Sequence, residues 1–200
     1  MKLKKWELAL IIALGVTLLT GAGLVRQQRQ LADRLIRLHV VANSDSAEDQ
    51  TLKLTVRDAV QLELGPLLDG VSDREEAVRI VEDSIDSLTR AARDTVTNQG
   101  YDHNVNVTIG FESFPAREYK TFTLPAGRYL SLRVDLGESA GSNWWCVVFP
   151  PLCADSDVRA SDALETLTDD QITLITEDGA GHVVRFRVLD WIERVRSVFG

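Results

Sequence analysis

The chain is short of the residues that most often carry chemistry, with two cysteines and three histidines in 200 positions. His39, His103 and His182 lie far apart, with neither H-x-x-x-H nor H-E-x-x-H spacing, so sequence neighbours assemble no zinc site. Cys146 and Cys153 have six residues between them, which excludes a C-x-x-C redox pair and a zinc knuckle. Basic residues are outnumbered by acidic ones, 22 against 30, and the net charge is −8. Beyond Lys2, Lys4 and Lys5 no basic cluster occurs, which argues against nucleic-acid binding. Internal repeats and low-complexity tracts are absent too. What is left is a globular composition, 44% hydrophobic and 26% charged, sized for one domain with appendages.

The first thing present is an uncharged run. "MKLKKWE" precedes "LALIIALGVTLLTGAGLV", Leu8 to Val25. As helix, that run is about 27 Å long at 1.5 Å per residue, near the roughly 30 Å of a bilayer core. The lysines before it suit a signal n-region or a cytoplasmic flank. Residues 1–25 are therefore expected to be a signal or transmembrane segment, and the rest to be exported. Gly21, Ala22 and Gly23 offer small residues for cleavage without a clean A-x-A, so a cut signal and a retained anchor both stand.

Residues 26–34 are expected to be a polar tether or a helical continuation, and 35–153 the main domain. "LIRLHVVAN" alternates with period two and predicts a strand, with Arg37 and His39 on its polar face. Ser46 and Asp49 resemble a capping box opening a helix over Ala47–Leu64, which Gly65-Pro66 is expected to end. A second long helix is expected after Ser72, with Glu75 as its box partner. Its stripe is Ala77, Val81, Ile85, Leu88, Ala92 and Val96, and Gly100 closes it. "NVNVTIGF", "YKTFTL" and "RYLSLRVDL" then read as strands, the last two as a hairpin around Pro125-Ala126-Gly127. "WWCVVF" is apolar throughout, as in an inner strand, or in a strand with one covered face and an exposed patch. Residues 154–171 form an acidic connector with six carboxylates, and 172–200 a hairpin and a short helix. The expected fold is α+β, a mainly antiparallel sheet with two long helices on one face.

Gly137 to Gly141, "GESAG", spells the nucleophile elbow of a serine hydrolase with Ser139 as nucleophile. The elbow needs a strand turning sharply into a helix, whereas "SNWWCVVFPP" follows here. A glycine-rich loop between strands accounts for the same residues. Asp45 and Asp49 lack the glycine and final glutamate of a calcium loop, so turn and cap duty is their reading. Cys146 and Cys153 are either two packed thiols or, in an exported domain, a disulfide closed across Pro150-Pro151. No catalytic, cofactor or metal site emerges, and the expectation is a protein that is not an enzyme.

Two stretches carry a resemblance: "IRLHVVANSDSAEDQTLKLTVRDAV" and "FPAREYKTFTLPAGRYLSLRVDLGESAGSNWWCVVFPPLC". They resemble the stage II sporulation protein R family of endospore-forming bacteria. The likeness lies at Ala42–Ser46, Leu52-Lys53, Val56–Asp58, Leu124–Tyr129 and Asn143–Cys153. It spans Ile36–Cys153 and leaves the N-terminal anchor and the acidic connector without a pattern. The resemblance implies a signalling protein, exported from the forespore into the space facing the mother cell. There it would activate a membrane-embedded aspartic protease that processes the sigma-E precursor. Asn43, Asp45, Asn143, Trp144, Trp145, Pro150 and Pro151 are the motif residues that become partner-surface candidates. The alternatives are a hydrolase acting through Ser139 and a structural module of the cell envelope.

Overall fold

A computed structural model describes residues 26–119 and 122–152, together with Lys4, Leu10, Ile11, Leu14 and Gly15. The expected span Leu8–Val25 falls mostly outside the described residues, and the acidic connector and C-terminal hairpin and helix fall wholly outside. Among the described residues no helix is long and apolar enough to cross a membrane.

The fold is α+β. Strand β1 (Ile36–Val41) leads to helices α1 (Ala47–Leu68), α2 (Arg74–Asp83) and α3 (Ile85–Asn98). Strands β2 (Val105–Phe114), β3 (Arg117–Glu118), β4 (Thr123–Leu124), β5 (Gly127–Leu136) and β6 (Asn143–Phe149) follow. Four of them make one sheet in the order β2-β5-β1-β6, while β3 and β4 form a small separate ladder. The sheet is mixed. β1 runs parallel to β5, whereas β1–β6 and β2–β5 are antiparallel.

Period-two alternation sorts the strand residues between two layers. Ile36, Leu38, Val40, Leu132, Val134, Cys146 and Val148 join the helix stripes in one core cluster. On the opposite face a smaller cluster gathers Leu31, Leu35, Phe114, Phe122, Leu124, Tyr129, Val147 and Leu152. Residues 26–32 are helical, and because Leu31 and Ala32 are buried they belong to this second layer.

Several expectations need correction. Helix α1 does not stop at Gly65-Pro66 but carries Pro66 inside it and ends at Leu68. A proline forfeits one backbone hydrogen bond, and Leu64 and Leu68, both buried one turn apart, outweigh that loss. The second long helix is two helices broken at Ser84, whose Oγ bonds back to the Ile80 carbonyl. The stripe survives the break, with Ala77, Val81, Leu88, Ala92 and Val96 all buried. The cap of α2 is Asp73 rather than Ser72, its carboxylate accepting from the Glu76 N–H. The Ser46 cap is as expected, with Ser46 Oγ accepting the Asp49 N–H at 3.1 Å.

β5 does not form a hairpin with the "YKTFTL" stretch. It pairs with β2 from Val105↔Leu136 to Phe114↔Gly127, and with β1 on its other side. Ten apolar-patterned residues in β2 offer a far longer ladder than the two of β4. Finally, among the described residues "WWCVVF" lies at the edge of the sheet and not inside it. Its continuous apolarity comes from layers on both faces, which leave Cys146 through Phe149 buried.

Candidate functional site

The turn after β1 and the turn before β6 are tied into one polar knot. Asn43 Oδ1 accepts the Glu138 N–H at 3.0 Å, and its Nδ2 donates to Asp49 at 2.8 Å. Asp49 also accepts from Ser44 Oγ at 2.6 Å and meets His103 Nε2 at 2.9 Å. The Ser44 hydrogen bond, opposed by burial and helped by Asn43 and His103, holds the Asp49 carboxyl at about 2. Asp45 accepts both the backbone N–H and the hydroxyl of Ser142, and these two bonds lower its pKa. Lys53, buried, donates to the Ser142 carbonyl at 3.0 Å. Burial depresses the Lys53 ammonium, with Asp45 working the other way.

Two glycines let the segments approach. A Cβ on Gly141 would lie 2.2 Å from the Ser44 carbonyl oxygen, and one on Gly137, at φ +56°, would run into Asn43. Backbone oxygen cannot swing aside as a side chain can. Gly141→Ala is therefore expected to cost about 1–3 kcal/mol in chemical denaturation. Gly65→Ala, in open space on α1, should be neutral or stabilising by about 0.5–1 kcal/mol.

From this knot a polar row crosses the sheet on the face opposite the helices. Asn143 Oδ1 lies 2.8 Å from His39 Nε2, and His39 Nδ1 lies 3.2 Å from Glu112. Arg133 donates to Glu112 at 2.8 Å and grips Asp135 at 2.9 Å. Burial would raise the Glu112 pKa, but the Arg133 and His39 bonds reverse this and hold it below the usual carboxylate range. The Asp135 bond, then that of Glu112, raises the Arg133 pKa against its burial. Trp145 borders the row, half-buried, 5.8 Å from the His39 ring and under the Arg117 guanidinium. The bonded row runs from Asn143 through His39, Glu112 and Arg133 to Asp135, and it carries both signs of charge beside one aromatic face.

The sequence-chosen residues thus divide. Asn43, Asp45, Asn143 and Trp145 meet on or beside this surface. Trp144 points to the helix layer, with Arg57 4.7 Å from its ring centroid. Pro150, joined to Phe149 by a cis peptide, lies at the far end of β6, and Pro151 beside it is exposed. Pro150 lines a cleft of about 370 Å³ with Asp33, Arg34, Arg74 and Glu75. Cys146 is fully buried, and Cys153 lies outside the described residues. Ser139, at φ +54°, is in the turn from β5 into β6, a strand-to-strand connection and not a strand-to-helix elbow. Sequence reading missed Glu112 as a partner of His39, and Arg133 and Asp135 as the groups bonded in turn behind Glu112. Their alternation marked them as a polar face, but which strands lie side by side is a matter of sheet order. Among the described residues no group of three or more His, Cys, Asp or Glu side chains could hold a metal ion.

Comparison with known proteins shows the family. Residues 32–159 match the family described as Stage II sporulation protein R. The chain belongs to the stage II sporulation protein R family. The matched range holds every strand of the sheet and helices α1 to α3. Within this family, Stage II sporulation protein R of Bacillus subtilis (strain 168) is 38% identical over 123 residues. That alignment covers 62% of this chain and 55% of the relative, so the chain spans about half the relative's length. No solved structure matches.

Proposed function

We propose that this stage II sporulation protein R family member is an exported sporulation signal. In this reading it switches on a membrane-embedded aspartic protease that processes the sigma-E precursor. It acts by binding and carries out no chemistry itself. Its place is the space between forespore and mother-cell membranes, held by the N-terminal segment or released from it. Leu10, Ile11 and Leu14 are each more than half exposed, as side chains meant for lipid would be.

The observation that carries the proposal is the bonded row from Asn143 to Asp135 with Trp145 at its border. A half-buried tryptophan flanked by paired charges has the composition of a binding hot spot with its polar rim. Both described histidines contact carboxylates, His39 with Glu112 and His103 with Asp49, so neither is oriented toward Ser139 as a base. This weighs against the hydrolase reading.

The test is precursor cleavage in a deletion strain carrying variants of the full chain. Trp145→Ala is expected to reduce cleavage at least tenfold when compared at matched levels of folded protein, since its ring also packs on the smaller core cluster. Trp144→Ala should instead lower the protein level, because its ring packs on the helix layer. Wild-type cleavage by the Trp145 variant would overturn the assignment of this face.

We also propose that Cys146 is joined to Cys153, the other of the chain's two cysteines. Thiol labelling of unreduced denatured protein should then find no thiols, and two after reduction. One or more labelled before reduction would refute the pairing.

A further inference from the structure

Among the described residues β2 closes one side of the sheet, and its outer edge is open. The Gly137 N–H donates to the Asn104 carbonyl at 2.8 Å, which fixes Asn104 and Gly137 as a hydrogen-bonded pair of the β2–β5 ladder. Antiparallel alternation then turns the even-numbered residues of β2 toward β5. The backbone N–H and C=O groups of Val105, Val107, Ile109, Phe111 and Ser113 point outward.

Edge strands are normally protected by proline, lysine, a bulge or a covering element. β2 contains no proline or lysine, its ten-residue register with β5 is unbroken, and no ladder partner lies on its outer side among the described residues. The helix layer also stops short of its second half. Val107 is buried, but the Phe111 ring is 53% exposed, with Arg128 5.2 Å from its centroid.

We propose that β2 pairs with β2 of a second copy of this chain, antiparallel about a two-fold axis through Ile109, extending the sheet across a dimer. The strand's own sequence argues for this occupant. Ile109 is the middle of the five outward-facing residues, so a two-fold axis there uses all of them. It sets Phe111 beside Val107 of the second copy, covering the exposed ring with an apolar neighbour. It sets Glu112, the single charge in β2, opposite Asn106, so no like charges meet. An isologous contact of this kind closes on itself and ends at two copies.

The test is the mass of the full chain in detergent, by light scattering over roughly 1–200 µM, with symmetric cross-linking beside it. Wild-type protein is expected to pass from monomer to dimer. Phe111→Lys should weaken the dimer at least tenfold without changing the thermal midpoint measured at a concentration where both proteins are monomeric, since the ring is more than half exposed. Ile109→Cys should give a disulfide-linked dimer under mild oxidation, because paired Cα atoms lie about 5.5 Å apart. Ser113→Cys should not, since its two copies would stand about 27 Å apart at 3.4 Å per residue. A wild-type protein monomeric throughout would overturn the proposal, as would a dimer indifferent to Phe111→Lys. Equal cross-linking at 109 and 113 would do the same.

Discussion

Replacing Asp49 by alanine is expected to destabilise the protein by about 2–3 kcal/mol, read as a shift in the denaturation midpoint. The carboxylate receives Asn43, Ser44 and His103, and it is 6% exposed. Hydrogen bonds to a charged acceptor are worth more than neutral ones, and deleting the acceptor leaves three donors to find water. The loss is not local, because Asn43 also holds Glu138, and with it the turn that leads into β6.

The same group gives a pH signature. Its folded pKa, about 2, lies below the ordinary 3.8, so the unfolded state binds the proton more readily. The stabilisation is therefore fully present above about pH 4 and is lost as pH falls toward 2. After discounting for solvent screening it amounts to about 1–2 kcal/mol. Asp49→Asn should flatten this acid limb. An unchanged slope between pH 4 and pH 2 would show that the carboxylate is not held as described.

The second large effect concerns Arg37, which is fully buried on the face opposite the helices. One nitrogen donates to the Tyr119 hydroxyl at 2.7 Å, while Nε and Nη1 have no hydrogen-bond partner among the described residues. The guanidinium lies 4.0 Å from the Phe114 centroid and 5.1 Å from that of Tyr129. Burial lowers its pKa, with Tyr119 and Tyr129 opposing. No carboxylate is paired with it among the described residues.

A buried cation without an anion is held by its stem and the rings, while the charge itself costs desolvation. Arg37→Ala should therefore lose about 3–4 kcal/mol, since it empties the space between Phe114 and Tyr129. Arg37→Met, which keeps the stem and drops the charge, should fall within about 1 kcal/mol of wild type or above it. If methionine is as damaging as alanine, the charge is stabilising and this account of the layer is wrong.

How far these features could be seen in the sequence differs by kind. The Ser46 cap was legible because a cap is a contact between residues three apart. The helix stripe from Ala77 to Val96 was equally legible, since burial there follows a 3.6-residue period even across the break at Ser84. The end of α1 was misread because local rules weigh Pro66 alone, whereas Leu64 and Leu68 draw their stabilisation from the core. The role of Asp49 was half visible: its N–H was placed at the cap, but its carboxylate bonds to His103, 54 residues on. Arg37 and His39 could be assigned to a polar strand face, and nothing local could say that one is entombed and the other wired to Glu112.

By itself the sequence determined the class of elements, the Ser46 cap, the glycine-rich character of the Gly137–Gly141 turn and, through its motifs, the family. All of these rest on interactions between near neighbours or on spellings that need no folding to be read. Only the tertiary structure decided that β1 lies between β5 and β6, and that, among the described residues, "NWWCVVF" lies at the edge of the sheet with its two tryptophans on opposite faces. It alone brought Asn43, Asp49 and Gly141 into one knot. Those outcomes depend on which distant strands bury the most apolar surface together, a comparison among whole packings that no window of the chain contains.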